Sequence, residues 1–303
     1  MPDCNQPHIC VCIPTFKRPL LLARCLEAIG KLETRGFSYS VVVVDNDAQE
    51  SAKQVATQWS KRASAKLRYC VEPVQNISLA RNRAVANAQG QFVAFIDDDE
   101  FPEPAWLQEL FEASLKFCAD GVLGPVNPFF EGTPPGWLVR SGLCVRKSFQ
   151  TGACLSNLRY MRGGNLLFRR AISDGEPLLY DPRFGLTGGE DCDFFDRMLK
   201  KGRRFVWCDE AIVYESVPRG RQTRSYHLKR AMIRGLTTAD QLPLLTFGTF
   251  KSFVAVIVYS LSLPVMLLAG EHLFMKYLIK DCDHLGKLLA YCRIKPVSKR
   301  SFQ

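Results

Sequence analysis

Three consecutive aspartates, Asp97, Asp98 and Asp99, follow an apolar segment that ends at Ile96. Carboxylates packed this closely repel one another and raise one another's pKa, so folding has little reason to gather them unless a cation balances their charge. Carboxylates together with substrate phosphates are the usual ligands of Mg²⁺ or Mn²⁺. The motif therefore predicts a divalent-metal site, and an acidic loop that merely ends a strand is the alternative.

A second acidic pair, Glu190 and Asp191, begins a segment with an apolar helical face. The helix dipole favours the ionised form of a carboxylate at a helix N-terminus. An ionised carboxylate can accept the proton of a hydroxyl as that hydroxyl attacks. Asp191 is thus a candidate general base, and an ordinary helix cap is the competing interpretation.

Two further motifs could contact a ligand. Arg81, in the motif SLARN, carries a fork of donors that suits a diphosphate, although arginines on helix surfaces are commonly solvated. The motif Gly163-Gly164-Asn165 offers backbone that a ligand can approach closely. A plain turn fits the same three residues.

The elements that must position these groups are indicated by hydrophobic periodicity. Short segments rich in β-branched and aromatic residues predict strands, and apolar residues at helical spacing between them predict helices, one of which has Ser78 as its N-cap. Strands alternating with helices imply βαβ units and a mostly parallel sheet, which binds ligands at the carboxyl ends of its strands. The predicted strands are residues 8–14, 39–45, 66–71 and 91–96.

The rest of the first 240 residues is less regular. Gly and Pro residues between 121 and 170 predict loops and short strands. Helical spacing resumes at 192–201 and is stopped by Gly202, and strand-like segments follow at 204–208 and 212–216. The predicted fold class is α/β, with a mostly parallel mixed sheet flanked by helices and a basic, apolar helical region at the C-terminal end.

The net charge of +10 is concentrated in the second half of the chain, notably at residues 219–234. This asymmetry points to an anionic partner, such as a phosphorylated small molecule, an anionic membrane surface or nucleic acid, and a merely solvated basic face is an equal alternative. A nucleic-acid partner is not expected, since zinc-finger and RNA-recognition signatures are absent. Scattered cysteines without a CxxC pair, and no secretory leader, predict free thiols and a cytoplasmic location.

Residues 253–270 contain no charge and approach the length of about 20 residues that a membrane span requires. Pro264 interrupts this segment but is tolerated in membrane helices. A membrane-embedded or re-entrant helix, an interfacial hairpin and a buried core helix all fit the composition. The predicted domains are an α/β domain at 1–240 and an apolar, membrane-associating region at 241–303.

Taken together, these motifs resemble the inverting family 2 glycosyltransferases of the GT-A fold. The resemblance covers roughly residues 8–235 and is closest to bacterial transferases that build exopolysaccharides and other surface glycans. The motifs that carry it are HICVCIPTFKRP, VVVVDNDA, NISLARNRAVANAQGQFVAFIDDDEFPEPAWL, RGGNLLFRR and FGLTGGEDCDFFDRMLKKG.

The resemblance implies a role for each candidate residue. Base and ribose of a nucleotide-sugar donor would be held by Pro14, Thr15 and Asp45, with Arg81 nearby. Asp97 and Asp98 would bind the diphosphate, and Asp97 and Asp99 would bind Mg²⁺ or Mn²⁺. The donor sugar or the acceptor would be bordered by Gly163, Gly164 and Asn165. Asp191 would be the general base that accepts the acceptor proton, with Glu190 beside it.

The implied reaction moves a sugar, by default from a UDP-sugar, to a hydroxyl of a glycan or lipid-linked acceptor with inversion at the anomeric carbon. The implied place is the cytoplasmic side of the inner (plasma) membrane. Two other functions fit parts of the pattern. A nucleotidyltransferase shares the sheet and metal site but needs no base at Asp191, and a non-catalytic membrane-bound glycan-assembly subunit would have little use for Asp99 and Asp191. A dinucleotide-dependent oxidoreductase is disfavoured because the chain has no GxGxxG or Walker-type loop.

Overall fold

The computed structural model describes residues 6–176, 178–186, 188–239 and 247–291. The chain divides into two compact units, each discontinuous in sequence. The first unit comprises Met1–Asn127 and Arg146–Glu215, and the second comprises Pro128–Val145 and Ser216–Gln303. The division into domains at 1–240 and 241–303, which was drawn from composition and motifs, stays a prediction.

The strands are β1 (His8–Thr15), β2 (Ser38–Asp45), β3 (Lys66–Val71), β4 (Phe92–Phe95), β5 (Glu100–Pro102), β6 (Gly121–Leu123), β7 (Val126–Phe130), β8 (Leu166–Arg169), β9 (Phe205–Trp207) and β10 (Val213–Val217). The helices are α1 (Pro19–Ile29), α2 (Lys53–Ser60), α3 (Ile77–Asn87), α4 (Trp106–Lys116), α5 (Gly136–Ser141), α6 (Glu190–Lys200), α7 (Arg224–Ala239), α8 (Phe247–Ala269) and α9 (Glu271–Tyr291).

The first unit is built on a seven-stranded sheet in the order β3-β2-β1-β4-β8-β6-β9. β1, β2, β3 and β4 are parallel, β8 is antiparallel to both β4 and β6, and β9 is parallel to β6. Because β8 reverses direction between β4 and β6, those two strands run the same way. The carboxyl ends of β1, β2, β4, β6 and β9 therefore meet at one edge of the sheet, which is where the candidate residues were expected.

Both faces of this sheet are covered. Ile9, Val11 and Ile13 of β1 pack in one hydrophobic cluster with residues of α1 and α4, whereas Cys10 and Cys12 point to a second cluster formed with α3 and α6. Successive side chains of a strand point to opposite faces, so an apolar residue at every position is what a doubly covered parallel sheet requires. This arrangement confirms the predicted α/β class.

The N-cap predicted for the helix around residue 81 is wrong by two residues. α3 begins at Ile77, and its N-cap is Asn76, whose side-chain oxygen accepts a hydrogen bond from the backbone N–H of Leu79 at 3.1 Å. Asn and Ser cap helices about equally well, so the residue type at position 78 did not decide the boundary. Ser78 instead lies inside the helix, fully buried.

The second unit has its own small core, to which α5, α7 and α9 contribute. Its buried members include Trp137 of α5, Ala231 of α7 and Met275 of α9. A Cβ atom on Gly286 of α9 would lie 2.5 Å from the carbonyl oxygen of Met232, so glycine at this position permits the close approach of α7 and α9.

α8 is the one helix of the described residues that is long and apolar enough to cross a membrane. In the most apolar 18-residue stretch of the helix only 6% of the residues are buried, and Leu268 is 91% exposed. The interpretation of residues 253–270 as a buried core helix is therefore wrong, because a core helix would hide these side chains. The membrane-embedded and interfacial interpretations remain.

Candidate active site

The three aspartates form a turn, here called the acidic turn (Asp97, Asp98 and Asp99), just past the end of β4. Asp98 is buried and fastens this turn to the end of β1, because Thr15 Oγ1 donates a hydrogen bond to Asp98 Oδ2 at 2.7 Å. Arg18 Nη1 lies 3.2 Å from Asp98 Oδ1 and 3.4 Å from Asp99 Oδ2. The carboxyl ends of β1 and β4 are thus joined through side chains.

Arg81 of α3 links the acidic turn to the second acidic pair. Its Nη2 donates to Asp97 Oδ1 at 2.9 Å, its Nη1 donates to the carbonyl oxygen of Gly163 at 3.1 Å, and its Nε lies 3.7 Å from Glu190 Oε1. Arg81 is only 4% exposed. Burial by itself lowers the pKa of Arg81, but Asp97, Glu190 and Asp191 raise it above its usual range, so the guanidinium stays charged.

Gly163 and Gly164 lie against this arginine and the acidic turn. A Cβ atom on Gly164 would be 2.7 Å from Glu100 Oε1 and 3.1 Å from Asp97 Oδ2, and one on Gly163 would be 3.1 Å from Arg81 Nη1. Both glycines thus permit a close approach of charged side chains, and a side chain at position 164 would displace Glu100 or Asp97.

Asn165 is almost fully buried and bonded within the protein. Its Oδ1 accepts a hydrogen bond from Trp106 Nε1 at 2.8 Å, and its Nδ2 donates to the carbonyl oxygens of Pro125 and Ala211 at 3.0 and 2.8 Å. These contacts make Asn165 a positioning residue for the segments around it. Its predicted contact with a sugar stays a prediction.

The second acidic pair begins α6. Gly189, with φ of +102°, is in the left-handed region that glycine tolerates and forms the N-cap. Burial raises the pKa of Glu190, which faces Arg81. Asp191 is only partly buried, and its Oδ1 accepts a hydrogen bond from the backbone N–H of Cys192 at 2.8 Å. Of the two carboxylates, Asp191 is the more open to an incoming group.

The acidic turn holds more negative charge than its own arginines balance. Burial, together with repulsion from Asp97, Asp98 and Glu215, raises the pKa of Asp99 to about 6. Glu100 is 3% exposed, lies opposite Glu215 in the antiparallel pairing of β5 with β10, and has a pKa well above its usual range because of burial and Asp97. Raised carboxyl pKa values of this origin mark a place where an added cation would be favourable.

The residues present fit a hard divalent cation. Both carboxylate oxygens of Asp98 are already paired, one with Thr15 and one with Arg18. The side chain of Asp97 is 38% exposed, and Asp99 lies beside it. Oxygen ligands from one or two carboxylates plus phosphates are what Mg²⁺ prefers. Asp97 and Asp99 are thus the candidate ligands, and Asp98 holds the turn in place.

Another group of candidate ligands occurs in the described part of the chain. Glu109, Cys208 and Glu210 bring their ligand atoms within 4.8 Å of one another. Burial and the neighbouring Glu210 raise the pKa of the Cys208 thiol to about 12. Cys208 offers a soft sulfur ligand, whereas Mg²⁺ and Mn²⁺ prefer oxygen ligands, so the acidic turn is the better match for such a cation.

Pro14 and Asp45 lie at the same sheet edge but form no direct contact with the acidic turn. Pro14 is buried in β1, and Thr15 lies opposite Asp45 in the pairing of β1 with β2. Asp45 is fully buried: its Oδ2 accepts hydrogen bonds from the backbone N–H of Ala52 at 2.7 Å and from Tyr69 Oη at 2.8 Å. Asp45 therefore anchors the loop after β2, and its contact with a nucleotide stays a prediction.

Two residues of the site were not anticipated from the sequence. Arg18 neutralises part of the acidic turn, and Glu100 extends the run of acids to four. Both could have been found from their positions in the sequence. Arg18 belongs to the motif that ends the first strand, and Glu100 directly follows Asp99.

The seven-stranded sheet, with the candidate residues at its carboxyl edge and the two acidic motifs linked by Arg81, defines the GT-A-like class of α/β transferase fold. The chain matches the family model described as Glycosyl transferase family 2 over residues 10–175, more than half of its length. It belongs to this family. The Succinoglycan biosynthesis protein ExoM of Rhizobium meliloti (strain 1021) is 32% identical over 238 residues, which are 76% of this chain and 74% of ExoM.

Solved structures confirm the fold. TarS 1–349 of S. aureus in complex with UDP-GlcNAc superimposes with a TM-score of 0.57 at 16% identity, over 96% of this chain and 93% of that chain. The same protein in complex with UDP gives a TM-score of 0.56 at 16% identity, over 94% of this chain and 91% of that chain.

Proposed function

We propose that this chain transfers a sugar from a UDP-sugar to a hydroxyl of a glycan or lipid-linked acceptor, with inversion, in the synthesis of a surface polysaccharide. The observation that carries the proposal is the position of Arg81, which bonds Asp97 of the acidic turn and lies 3.7 Å from Glu190, the neighbour of Asp191. One side chain thus lies between the acidic turn and the residue next to the candidate base. The UDP complexes of TarS and the role named for ExoM support the donor and the pathway class.

The proposed reaction is one in-line displacement at the anomeric carbon. Asp191 accepts the proton of the acceptor hydroxyl while that oxygen bonds to the anomeric carbon, and the bond to the diphosphate oxygen breaks so that UDP leaves. Asp97 and Asp99 would hold a Mg²⁺ or Mn²⁺ ion, which when bound offsets the negative charge on the leaving diphosphate. Arg81 holds Asp97 in position through a hydrogen bond and lies beside Glu190. Attack opposite to the leaving group inverts the configuration.

This function is tested by a screen of nucleotide sugars with Mg²⁺ or Mn²⁺. The screen measures the release of nucleoside diphosphate and the stereochemistry of the product. The expected result is metal-dependent UDP release from at least one UDP-sugar, strongly reduced in Asp99→Ala. Pyrophosphate release would instead identify a nucleotidyltransferase. Absence of turnover with every donor and either metal would favour a non-catalytic subunit, and retention of configuration would contradict the single displacement.

The second unit is proposed to hold the enzyme on the cytoplasmic face of the inner membrane. α8 exposes apolar side chains along its length, and the basic segment 219–234 lies partly in α7. Within this unit Arg234 Nε pairs with Asp283 Oδ1 at 2.6 Å, whereas Lys229 and Arg230 are exposed on α7. Exposed cations of this kind attract anionic lipid headgroups.

We therefore expect Lys229→Ala/Arg230→Ala to weaken binding to vesicles containing phosphatidylglycerol by about thirtyfold, since each basic residue contributes about 1 kcal/mol at an anionic surface. Binding to pure phosphatidylcholine vesicles, measured by flotation, is expected to stay unchanged. The matched control Arg35→Ala/Lys61→Ala removes two exposed charges from the first unit. Equal binding of the Lys229 and Arg230 variant and the unaltered protein to anionic vesicles would refute the surface contact.

A further inference from the structure

A cavity of about 420 Å³ lies in the first unit. Leu123 at the end of β6, Trp207 at the end of β9 and Asn165 just before β8 line it. The cavity is therefore at the carboxyl edge of the sheet, on the opposite side of β4 from β1 and β2. The nucleotide is proposed to bind on the β1 and β2 side, so this cavity is on the side left for the acceptor.

The cavity, here called the basic cavity, is lined by four cationic side chains and no acidic one. The four are Arg146, Lys147, Arg159 and Arg162, and all four are exposed. Arg146 pairs with Glu215, whereas no carboxylate of the described residues forms an ion pair with Arg159 or Arg162. Like charges gathered around one cavity repel one another, so an anion bound among them would be stabilised.

Two contacts connect the basic cavity to the proposed site of reaction. Asn165 directly follows Gly164, whose Cα approaches Glu100 and Asp97 closely enough to exclude a side chain. Arg146 pairs with Glu215, which lies opposite Glu100 in the pairing of β10 with β5. The lining of the cavity is thus linked, through the chain at Gly164 and through Glu215, to residues that contact or neighbour the acidic turn.

We propose that the basic cavity binds an anionic group of the acceptor, and that Arg159 and Arg162 are its main ligands. Guanidinium groups present forked donors that match phosphate and carboxylate oxygens. Tyr160 offers an aromatic surface in the same wall, beside Lys147, whose Nζ lies 5.1 Å from the centre of the Tyr160 ring. The acceptor is therefore a saccharide that carries a phosphate, diphosphate or carboxylate; this inference rests on the proposed function.

The test measures binding of two probes, inorganic diphosphate and glucuronate, to the full-length protein by calorimetry. EDTA is present so that no divalent cation binds the probe and the proposed metal-dependent nucleotide site does not take up diphosphate, and affinity for UDP is measured separately with Mg²⁺ and without EDTA. Arg159→Gln/Arg162→Gln is expected to weaken binding of the preferred probe about tenfold or more, because hydrogen bonds to charged groups are lost. Affinity for UDP and the thermal midpoint are expected to stay unchanged, since both arginines are exposed.

The control Lys31→Gln/Lys61→Gln removes the same charge at the ends of α1 and α2, which lead back toward the amino ends of the strands. It is expected to leave probe binding unchanged. An equal loss of probe binding in this control would mean that net charge alone attracts the probe, which would contradict the proposal. The proposal would also be overturned if the Arg159 and Arg162 variant bound the probe as well as the unaltered protein, or if neither probe bound. Preference for diphosphate would point to a lipid-diphosphate linkage, and preference for glucuronate to an acidic sugar. Because no turnover is required, failure of the sugar-transfer screen would be seen separately.

Discussion

Arg81→Met is expected to lower the free energy of unfolding by about 3–5 kcal/mol. The substitution removes the positive partner of a buried charge cluster and leaves its carboxylates without a counter-charge. Glu190 is 8% exposed and would keep a buried carboxylate beside Asp191, and the carbonyl oxygen of Gly163 would lose its donor. We also expect kcat/KM to fall about 10²- to 10³-fold, since two charge-assisted hydrogen bonds that position the site are lost. Chemical denaturation and steady-state UDP release measure the two effects.

Arg83→Met is the matched control. Arg83 lies in the same helix and its Nε pairs with Glu72 Oε2 at 2.8 Å, but its side chain is 43% exposed. Glu72 is buried, but its Oε1 also accepts a hydrogen bond from the backbone N–H of Val74 at 3.2 Å, so Arg83→Met should lower stability less than Arg81→Met and change activity little. Arg81→Lys, which keeps the charge but lacks the fork, should fold and show an intermediate loss of activity. Equal behaviour of the Arg81 and Arg83 variants would contradict the linking role of Arg81.

Asp191→Asn is expected to reduce kcat about 10²- to 10⁴-fold with little loss of stability, because general-base catalysis contributes about this much. The asparagine oxygen can still accept the hydrogen bond from the backbone N–H of Cys192, which Asp191 Oδ1 accepts at 2.8 Å. The loss of one charge at a helix N-terminus costs about 0.3–1 kcal/mol. Affinity for UDP should not change, since the proposed base acts on the acceptor. Single-turnover measurements with UDP binding in parallel separate these effects.

Asp193→Asn provides the comparison within the same first turn of α6. Asp193 Oδ2 pairs with Arg197 Nε at 2.9 Å, so this carboxylate is occupied by a neighbour on the helix. We expect its kcat to stay within about threefold of the unaltered protein, because an i,i+4 pair contributes only about 0.3–0.5 kcal/mol. A wild-type kcat for Asp191→Asn, or an equal loss in both variants, would exclude Asp191 as the base.

Much of the secondary structure could be predicted from local patterns. The segments 8–14, 39–45, 66–71 and 91–96 are strands whose ends differ from the prediction by at most one residue. These segments are short, apolar and rich in β-branched or aromatic residues, which suits strands buried on both faces. α5 could not be predicted in this way, since a helix of six residues is too short to be stable alone and is held by its contacts with α9.

The division of labour among the acidic residues could not be predicted. Asp97, Asp98 and Asp99 are identical in type and adjacent in sequence, yet only Asp98 receives the hydroxyl of Thr15, which is 83 positions away in the chain. For Arg81 the sequence left a solvated position on the helix surface as the alternative. The structure shows instead that Arg81 is buried and bonded to Gly163, 82 positions away in the chain. Burial and pairing of this kind depend on which strands become neighbours.

By itself, the sequence determined the order of strands and helices, the family resemblance and the presence of two acidic motifs, since each of these depends on residues close together in the chain. Only the tertiary structure decided that Arg81 joins the motifs, that Asp45 and Asn165 are engaged inside the protein, and that the basic residues between 146 and 162 surround one cavity with the ends of β6 and β9. The physical reason is that the sheet order β3-β2-β1-β4-β8-β6-β9 brings distant segments to one edge, where charge and burial act between residues that no local pattern connects.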